Sequence, residues 1–415
     1  MMLARTLKNF AKRFMRYLGI LISRRLVISN FTEFCSTKPL RRALVSYLVL
    51  PLLPPSPWRD HVMFSNKGIA QCLPEVLNKM GYSVDIINYD NTTWRPRRKY
   101  DLLIGHGGIN FERIARLFGN GTRKIYFSTG IYWRKWNLNE AKRIYNLTDR
   151  RGHLLGRSRS ILANEEYANQ SADGIICLGN ANSANSYSQF PHVVAINNAT
   201  YPLEWDGWKK KDYAAGRSHF LFFSGRGNLH KGLDVLLEAF IQTPLHLHVC
   251  QWIEPEFAKV YQSELYNYAN IHLHGFVSMR SPAFESLALQ CNWIILPTCA
   301  EGQPGSVIEC MAYGLVPVVP EEANIDLADW GIRLKEVTVE HLVDTTTYLS
   351  QMAVQDCETR SLKTLDVVRS SYMPSHFKTR LTRAIEEILA TGEEAEGAAL
   401  AGSSTHVNPP TEASA

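Results

Sequence analysis

The chain has 415 residues, 45% of them hydrophobic and 20% charged, with a formal charge of +6. That is long enough for two domains of about 100 to 200 residues, and the composition is that of globular protein with real cores. Its eight cysteines are scattered, with no CxxC pair and no Cys/His cluster at metal-ligand spacing, which suits a reducing compartment and argues against a structural zinc.

The charge is uneven. Residues 1 to 32 carry seven basic and no acidic side chains, whereas everything after Arg383 is acidic or neutral. Leu3, Leu7, Phe10, Phe14, Leu18 and Leu21 recur at helical spacing with Arg5, Lys8, Lys12, Arg13 and Arg16 between them, so residues 1–41 read as a basic amphipathic extension. Residues 1–28 of it suit an anionic membrane surface, or a solvated helix packed on its own domain. Its longest apolar run, Leu18 to Ile22, is too short and interrupted for a secretion signal. The stretch 43-ALVSYLVLPLLPP-55 is also too short to span a bilayer and is expected to be a buried strand. The expected location is cytoplasmic, at the inner face of the cell membrane, with no nucleic-acid partner.

From residue 43 onward short apolar runs alternate with helical patterns, as in parallel sheets covered by helices on both faces. Candidate strands at Ala43 to Leu50, Val84 to Asn88, Asp101 to Ile104, Lys124 to Ser128, Gly174 to Leu178 and Val193 to Asn197 make one Rossmann-like domain over 42–200. Residues 201–217, rich in tryptophan and lysine, read as a linker. A second series over 218–373 has strands at His219 to Phe223, His246 to Cys250, Ile271 to Phe276, Trp293 to Leu296 and Val316 to Val319, with helices at Gly232 to Gln242 and Ser306 to Tyr313. A helix over 374–390 is expected to cross back to the first domain, and 391–415 reads as a disordered tail. The fold class is therefore α/β, two doubly wound domains with a ligand cleft at the carboxyl ends of their strands.

Two stretches carry chemistry. In 219-HFLFFSGRGNLHKGLDVLLEAF-240, glycines 225, 227 and 232 admit a ligand to the backbone while Arg226 and Lys231 put two cations near a helix start. This suits phosphate; the plainer alternative is a strand-to-helix turn with solvated basic residues. In 294-IILPTCAEGQPGSVIECMAYGLVPVVP-320, Glu301 stands in the loop after a strand and Glu309 in the next helix. Amides of 302-GQPGS-306 favour anions, and carboxylates beside them accept hydrogen bonds from sugar hydroxyls. An acidic residue in a first helical turn is also common without function, which keeps a structural role open for Glu309.

Together these stretches resemble retaining glycosyltransferases of the GT-B fold, family 4, also called group 1. The resemblance rests on G-R-x4-K-G-x-D-x-L-L-x-A-F at 225 to 240 and on E-x7-E followed by C-M-A-x-G-x-x-P-V-V at 301 to 319. It implies that Arg226 and Lys231 bind the diphosphate of a nucleotide sugar, that Glu301 holds hydroxyls of the donor sugar and that Glu309 holds the ribose. Gly225, Gly302, Gln303, Gly305 and Ser306 complete the expected donor loop. The family usually reads E-G-F-G-x-P where this chain has E-G-Q-P-G-S, which ties donor preference to Gln303 and Pro304. The family also often has a histidine after the fourth strand, where 128-STGIYW-133 has none and Tyr132 or Trp133 takes the space. His106 in 104-IGHGGIN-110 is the nearest substitute for it, or a tolerated turn residue. Lys67 and Gly68 in 64-FSNKGIA-70 are placed to approach the diphosphate, and Gly275 and Val277 stand where such enzymes read the nucleobase.

The implied reaction moves a sugar from a nucleoside diphosphate to a hydroxyl acceptor, saccharide or lipid-linked saccharide, with retention, in polysaccharide, lipopolysaccharide or glycolipid synthesis. The chain contains no D-x-D, so no metal or other cofactor is expected. A hydrolase or phosphorylase fits less well, because the two glutamates flank a phosphate-binding loop rather than a sugar. A dinucleotide oxidoreductase lacks its G-x-G-x-x-G fingerprint. The alternative from another class is a catalytically degenerate, membrane-associated nucleotide-sugar-binding or scaffold protein.

Overall fold

A computed structural model of the protein describes residues 25–53 and 63–403. The basic amphipathic pattern at residues 3 to 21 lies outside the described residues. The first sheet has seven strands in the order β1-β3-β2-β4-β5-β6-β7: β1 (Val27–Phe31), β2 (Arg41–Tyr47), β3 (Tyr82–Asn88), β4 (Leu102–Gly105), β5 (Arg123–Ser128), β6 (Gly174–Leu178) and β7 (Val193–Ile196). The second has six in the order β10-β9-β8-β11-β12-β13: β8 (His219–Phe223), β9 (His246–Cys250), β10 (Ile271–Leu273), β11 (Trp293–Ile295), β12 (Val316–Pro320) and β13 (Ile332–Leu334). Strands β3, β6 and β12 are buried along their whole length. A strand covered on both faces is mostly apolar, which is why β6 and β12 read as runs rather than alternations, while the buried Asp85 of β3 is hydrogen-bonded.

Several boundaries differ from the sequence reading. The end of the supposed extension, Val27–Phe31, pairs antiparallel with β3 at the sheet edge. Its half-exposed burial gives no apolar run to find. The stretch from 43 keeps strand form only to Tyr47; a 3-10 turn at Leu50–Leu52 follows, with Pro51 lacking the amide a ladder needs. β10 stops at Leu273, two residues before Gly275 at φ 65°. In the linker, Tyr213–Gly216 is a helical turn whose Tyr213 is buried in the second core.

Seven helices matter for the site: α1 (Ser65–Lys79), α2 (Gly108–Ala115), α3 (Trp133–Arg151), α4 (Asn228–Lys231), α5 (Leu233–Phe240), α6 (Gly305–Met311) and α7 (Pro374–Ser403). Helix α7 does cross back. Phe377, Leu381, Ala384, Ile385 and Ile388 form one helical stripe inside the first domain's core, each larger side chain contributing roughly 1.5–3 kcal/mol. The helix continues to Ser403, into the segment expected to be a disordered tail.

Helix α3 makes the opposite exchange. It follows β5 of the first sheet, yet Ile144 and Leu147 are buried in the second core. On the same helix Arg143 donates to the Pro297 carbonyl at 2.8 Å, Arg150 pairs with Asp234 at 2.6 Å and Glu238 at 3.0 Å, and Arg151 pairs with Glu264 at 2.6 Å. Each domain thus packs a helix belonging, by its place in the chain, to the other.

Candidate active site

The carboxyl ends of β2, β4, β5 and β6 face those of β8 and β11 across a cleft of about 800 Å3. Its walls bring together Lys67, His106, Gly225, Lys231, Glu301, Gln303, Gly305 and Ser306 from the residues singled out in sequence. Trp136, Arg159 and Glu165 join them.

Lys231 closes the one-turn helix α4, and Gly232 follows at φ 84°. A Cβ at 232 would lie 2.3 Å from the Pro297 carbonyl oxygen, so only glycine lets this turn settle against the strand exit that carries Glu301. The Lys231 ammonium donates directly to Glu301 Oε1, which also accepts from Thr298 Oγ1 at 3.0 Å. Burial alone would raise the Glu301 carboxyl. Lys231 above all, with His230 and Arg159, instead holds it below the usual carboxylate range. The floor of the cleft is therefore an ionised, nearly buried Lys/Glu pair. Beside it the amides of Gly305 and Ser306, at the start of α6, have no partner among the described residues.

His106 follows β4. Its Nδ1 lies 3.0 Å from the Phe127 carbonyl oxygen, so Nδ1 carries a proton and donates to it. Tyr47 and Tyr89 pack their rings against it, each at 5.9 Å between centroids. Burial raises the carboxyl of Glu165, close to His106, and lowers the ammonium of Lys67.

Arg159 was not singled out by sequence. It projects from the loop after α3, where Glu140 accepts the Ser158 and Arg159 amides at 3.1 and 2.7 Å and the Ser160 hydroxyl, while Trp136 Nε1 donates to the Arg159 carbonyl at 2.8 Å. Burial opposes ionisation of Glu140, but His230, Ser160 and the Arg159 amide bring its carboxyl down to about 2. The anchored loop lays Arg159 over the turn at Gly227. The only sequence signal was a basic, glycine-containing run, 150-RRGHLLGRSR-159.

Five of the expected residues lie elsewhere. Arg226 is exposed and rests on the Trp252 ring, 5.8 Å away, outside the cleft lining. Gly68 is buried in α1, where a Cβ would meet the Phe64 ring at 2.6 Å. Val277 borders a separate recess of about 500 Å3 with His274, Phe276 and Ser281. Glu309 is 1% exposed and covered by the first domain: it accepts from the Phe64 amide at 3.2 Å and faces Arg280 at 3.6 Å. Burial raises its carboxyl despite Thr200 and Arg280. Gly302 is pressed against the first domain, where a Cβ would lie 2.5 Å from the Thr129 carbonyl oxygen.

Gln303 lines the cleft, but its amide ties the domains together. Oε1 accepts from the Asn198 amide at 2.8 Å, and Nε2 donates to Asn197 Oδ1 at 2.8 Å and to the Asn324 carbonyl at 2.9 Å. Tyr132 and Trp133, expected in place of a histidine, are outside the cleft lining; Tyr132 donates to Glu166 and packs on Tyr187. Gly130, Ile131 and Trp136 occupy that wall instead.

Residues 206–324 match the family model described as glycosyl transferases group 1, less than a third of the chain. No curated protein matches by sequence. Among solved structures, sucrose-phosphate synthase from Thermosynechococcus elongatus is 13% identical with a TM-score of 0.58, covering 86% of this chain and 100% of that one. Anabaena Alr3699/HepE in complex with UDP is 11% identical at 0.57, covering 84% and 100%. WaaG, a glycosyltransferase of lipopolysaccharide biosynthesis, is 13% identical at 0.51, covering 82% and 98%. The chain spans about half of S. aureus TarM, covering 55% of it at 13% identity and a TM-score of 0.49. The two-domain frame is that of GT-B proteins, and its second domain carries the sequence signature of glycosyl transferases group 1.

Proposed function

We propose that the protein is a retaining, metal-independent glycosyltransferase that moves a hexosyl unit from a nucleoside-diphosphate sugar to a hydroxyl acceptor. The observation that carries this reading is the buried Lys231/Glu301 pair on the cleft floor, inside the segment matching the group 1 family. Lys231 and Arg159 receive the diphosphate, with the Gly305 and Ser306 amides as further donors. The bond from the anomeric carbon to the diphosphate oxygen breaks as these cations neutralise the leaving charge. The acceptor oxygen bonds to the same face, and its proton passes to the leaving phosphate. Preorganised charge and positioning supply the rate, and no protein nucleophile is needed. Because Lys231 and Arg159 neutralise the leaving group, activity should survive EDTA. Glu301 holds donor hydroxyls, and His106 Nε2 faces the acceptor side.

Saccharide or lipid-linked saccharide acceptors fit this chemistry, in polysaccharide, lipopolysaccharide or glycolipid synthesis. The competing reading, a nucleotide-sugar-binding scaffold on a membrane, draws on the diversion of Gln303 into interdomain bonds and of Arg226 onto Trp252. No helix among the described residues is long and apolar enough to cross a membrane. The deciding experiment is thermal protection by UDP, GDP and ADP, followed by product detection with the protecting nucleotide's sugars. Protection with turnover supports transfer; protection without turnover on any acceptor supports the scaffold; no protection by any nucleotide rejects both.

A further inference from the structure

Beyond the cleft, the first domain holds a recess of about 480 Å3 where the start of β1 meets the loop after β3. Four arginines line it, Arg25, Arg95, Arg97 and Arg98, together with Trp94 and Tyr100. Its single acid, Asp85, is 3% exposed and already engaged: it accepts from the Asn30 amide at 2.8 Å and from the Tyr100 hydroxyl at 2.5 Å. Arg98 and Arg42 are its only cationic neighbours within 4.0 Å among the described residues. Arg25, Arg95 and Arg97 make no ion pair among those residues.

The loop presenting these cations is built rather than loose. Asn91, 4% exposed, accepts from Thr93 Oγ1 at 3.0 Å and from the Trp94 amide at 3.1 Å. Arg113 of α2 donates from behind to the Trp94 and Asn91 carbonyls at 2.9 and 3.2 Å. Burial, with Arg95 alongside, lowers the Arg113 guanidinium, so a further cation stands behind this loop. The same loop begins at Tyr89, so the loop that presents the arginines also supplies a ring packed on His106 of the cleft.

We propose that this recess binds a phosphate group carried by the acceptor, so that the acceptor class is a phosphate-bearing saccharide or lipid. This rests on the glycosyltransferase reading for the word acceptor, though not for the binding site itself. Several guanidinium forks around one pocket match the geometry and double charge of phosphate, and Trp94 offers a face for the apolar or sugar portion beside it. A group held here leaves a connected hydroxyl to extend past Tyr89 toward His106.

The test uses full-length protein titrated calorimetrically with inorganic pyrophosphate, which fits both this recess and the cleft floor. Lys231→Ala removes the cleft cation; the double variant Arg95→Glu/Arg97→Glu reverses two exposed charges, with an unchanged Tm as evidence of folding. The expected result is that Lys231→Ala still binds one pyrophosphate per chain and that adding the double variant weakens this at least tenfold. Binding lost in Lys231→Ala and untouched by the double variant keeps the cleft reading and overturns this one. Binding that survives Lys231→Ala but ignores the double variant also overturns it. Binding lost only in the double variant supports the recess while the cleft reading fails. Vesicles of phosphatidylglycerol and of phosphatidylcholine identify the source: recruitment to the former that needs Arg95 and Arg97 assigns a lipid phosphate, whereas recruitment independent of them, with tenfold weaker pyrophosphate binding in the double variant, assigns a soluble one.

Discussion

At the scale of single residues, the cleft exchanges one expected cation for another. Arg226 and Lys231 lie close together in sequence, but the αL turn at Gly227 sends Arg226 outward onto Trp252 while Lys231 turns in toward Glu301. Arg159, more than sixty positions upstream, takes the inner place. Lys231→Ala should lower kcat by ~10²–10³, as removal of a preorganised charge at a leaving group does. Arg159→Ala should lower it by roughly tenfold or more, since a charge-assisted hydrogen bond contributes about 1.5–3 kcal/mol. Arg226→Ala should leave kcat within about twofold, because an exposed side chain outside the site acts weakly through solvent. Steady-state kinetics of the three variants check this; a larger loss in Arg226→Ala than in Arg159→Ala would restore the sequence assignment. Lys231 and Glu301 were legible because each lies in a short glycine-containing segment that follows a buried strand. Arg159 was not, because its loop is shaped by Glu140 and Trp136 rather than by any local motif.

At the scale of elements, the edge of the second sheet carries an unusual ladder. The segments 246-HLHVC-250 and 271-IHLHG-275 alternate with period two, so β8, β9 and β10 present their histidines on one face. His219 Nδ1 lies 3.0 Å from His248 Nε2, His246 Nδ1 3.1 Å from His272 Nε2, and His248 Nδ1 3.1 Å from His274 Nε2. Burial lowers His219, His248, His272 and His274; neighbouring imidazoles add to this at the first three, and His248 falls to about 3. In the unfolded chain these groups take up protons near pH ~6.5, while in the folded protein these four stay neutral to lower pH. Between those values the unfolded state binds more protons, so stability falls on acidification and is recovered above about pH 6.5. Tm should drop between about pH 7.5 and pH 5, and His248→Leu should make that drop shallower. An identical pH slope in the variant would show that the ladder does not control it. The strands were readable from their apolar positions; the imidazole pairing was not, because it requires the register of three strands.

At the scale of the whole molecule, two helices are exchanged between domains and fix how the cleft is assembled. Helix α7 fills the first core with an apolar stripe, whereas α3 docks on the second domain largely through charge. Asp234 is fully buried; burial raises its carboxyl, and Arg143 and Arg150 oppose that rise. Arg143→Ala therefore leaves a buried carboxylate short of one partner, at a cost of about 3–5 kcal/mol. Urea unfolding should show this as a lower midpoint, and a change below about 0.5 kcal/mol would show that Arg150 alone suffices for Asp234. The same helix carries Glu140 and Trp136, the anchors of Arg159, so domain docking and placement of the cleft cation are one event.

The sequence by itself determined what local spacing can encode: buried strands as apolar runs, the helical stripe of α7, and the glycine turns and acidic loop that set Lys231 and Glu301 at strand ends. Tertiary structure alone decided the rest. The edge strand β1 has too little burial to leave a pattern, and α3 reads as a first-domain helix until its arginines meet Asp234, Glu238 and Glu264. Glu309 and Gln303, motif positions in sequence, are covered or spent on Phe64, Arg280, Asn197 and Asn198 of distant segments. Those partners lie from about thirty to more than two hundred residues away. A hydrogen bond or burial contributed across such separations depends on how the sheets pack, and no short window of sequence carries it.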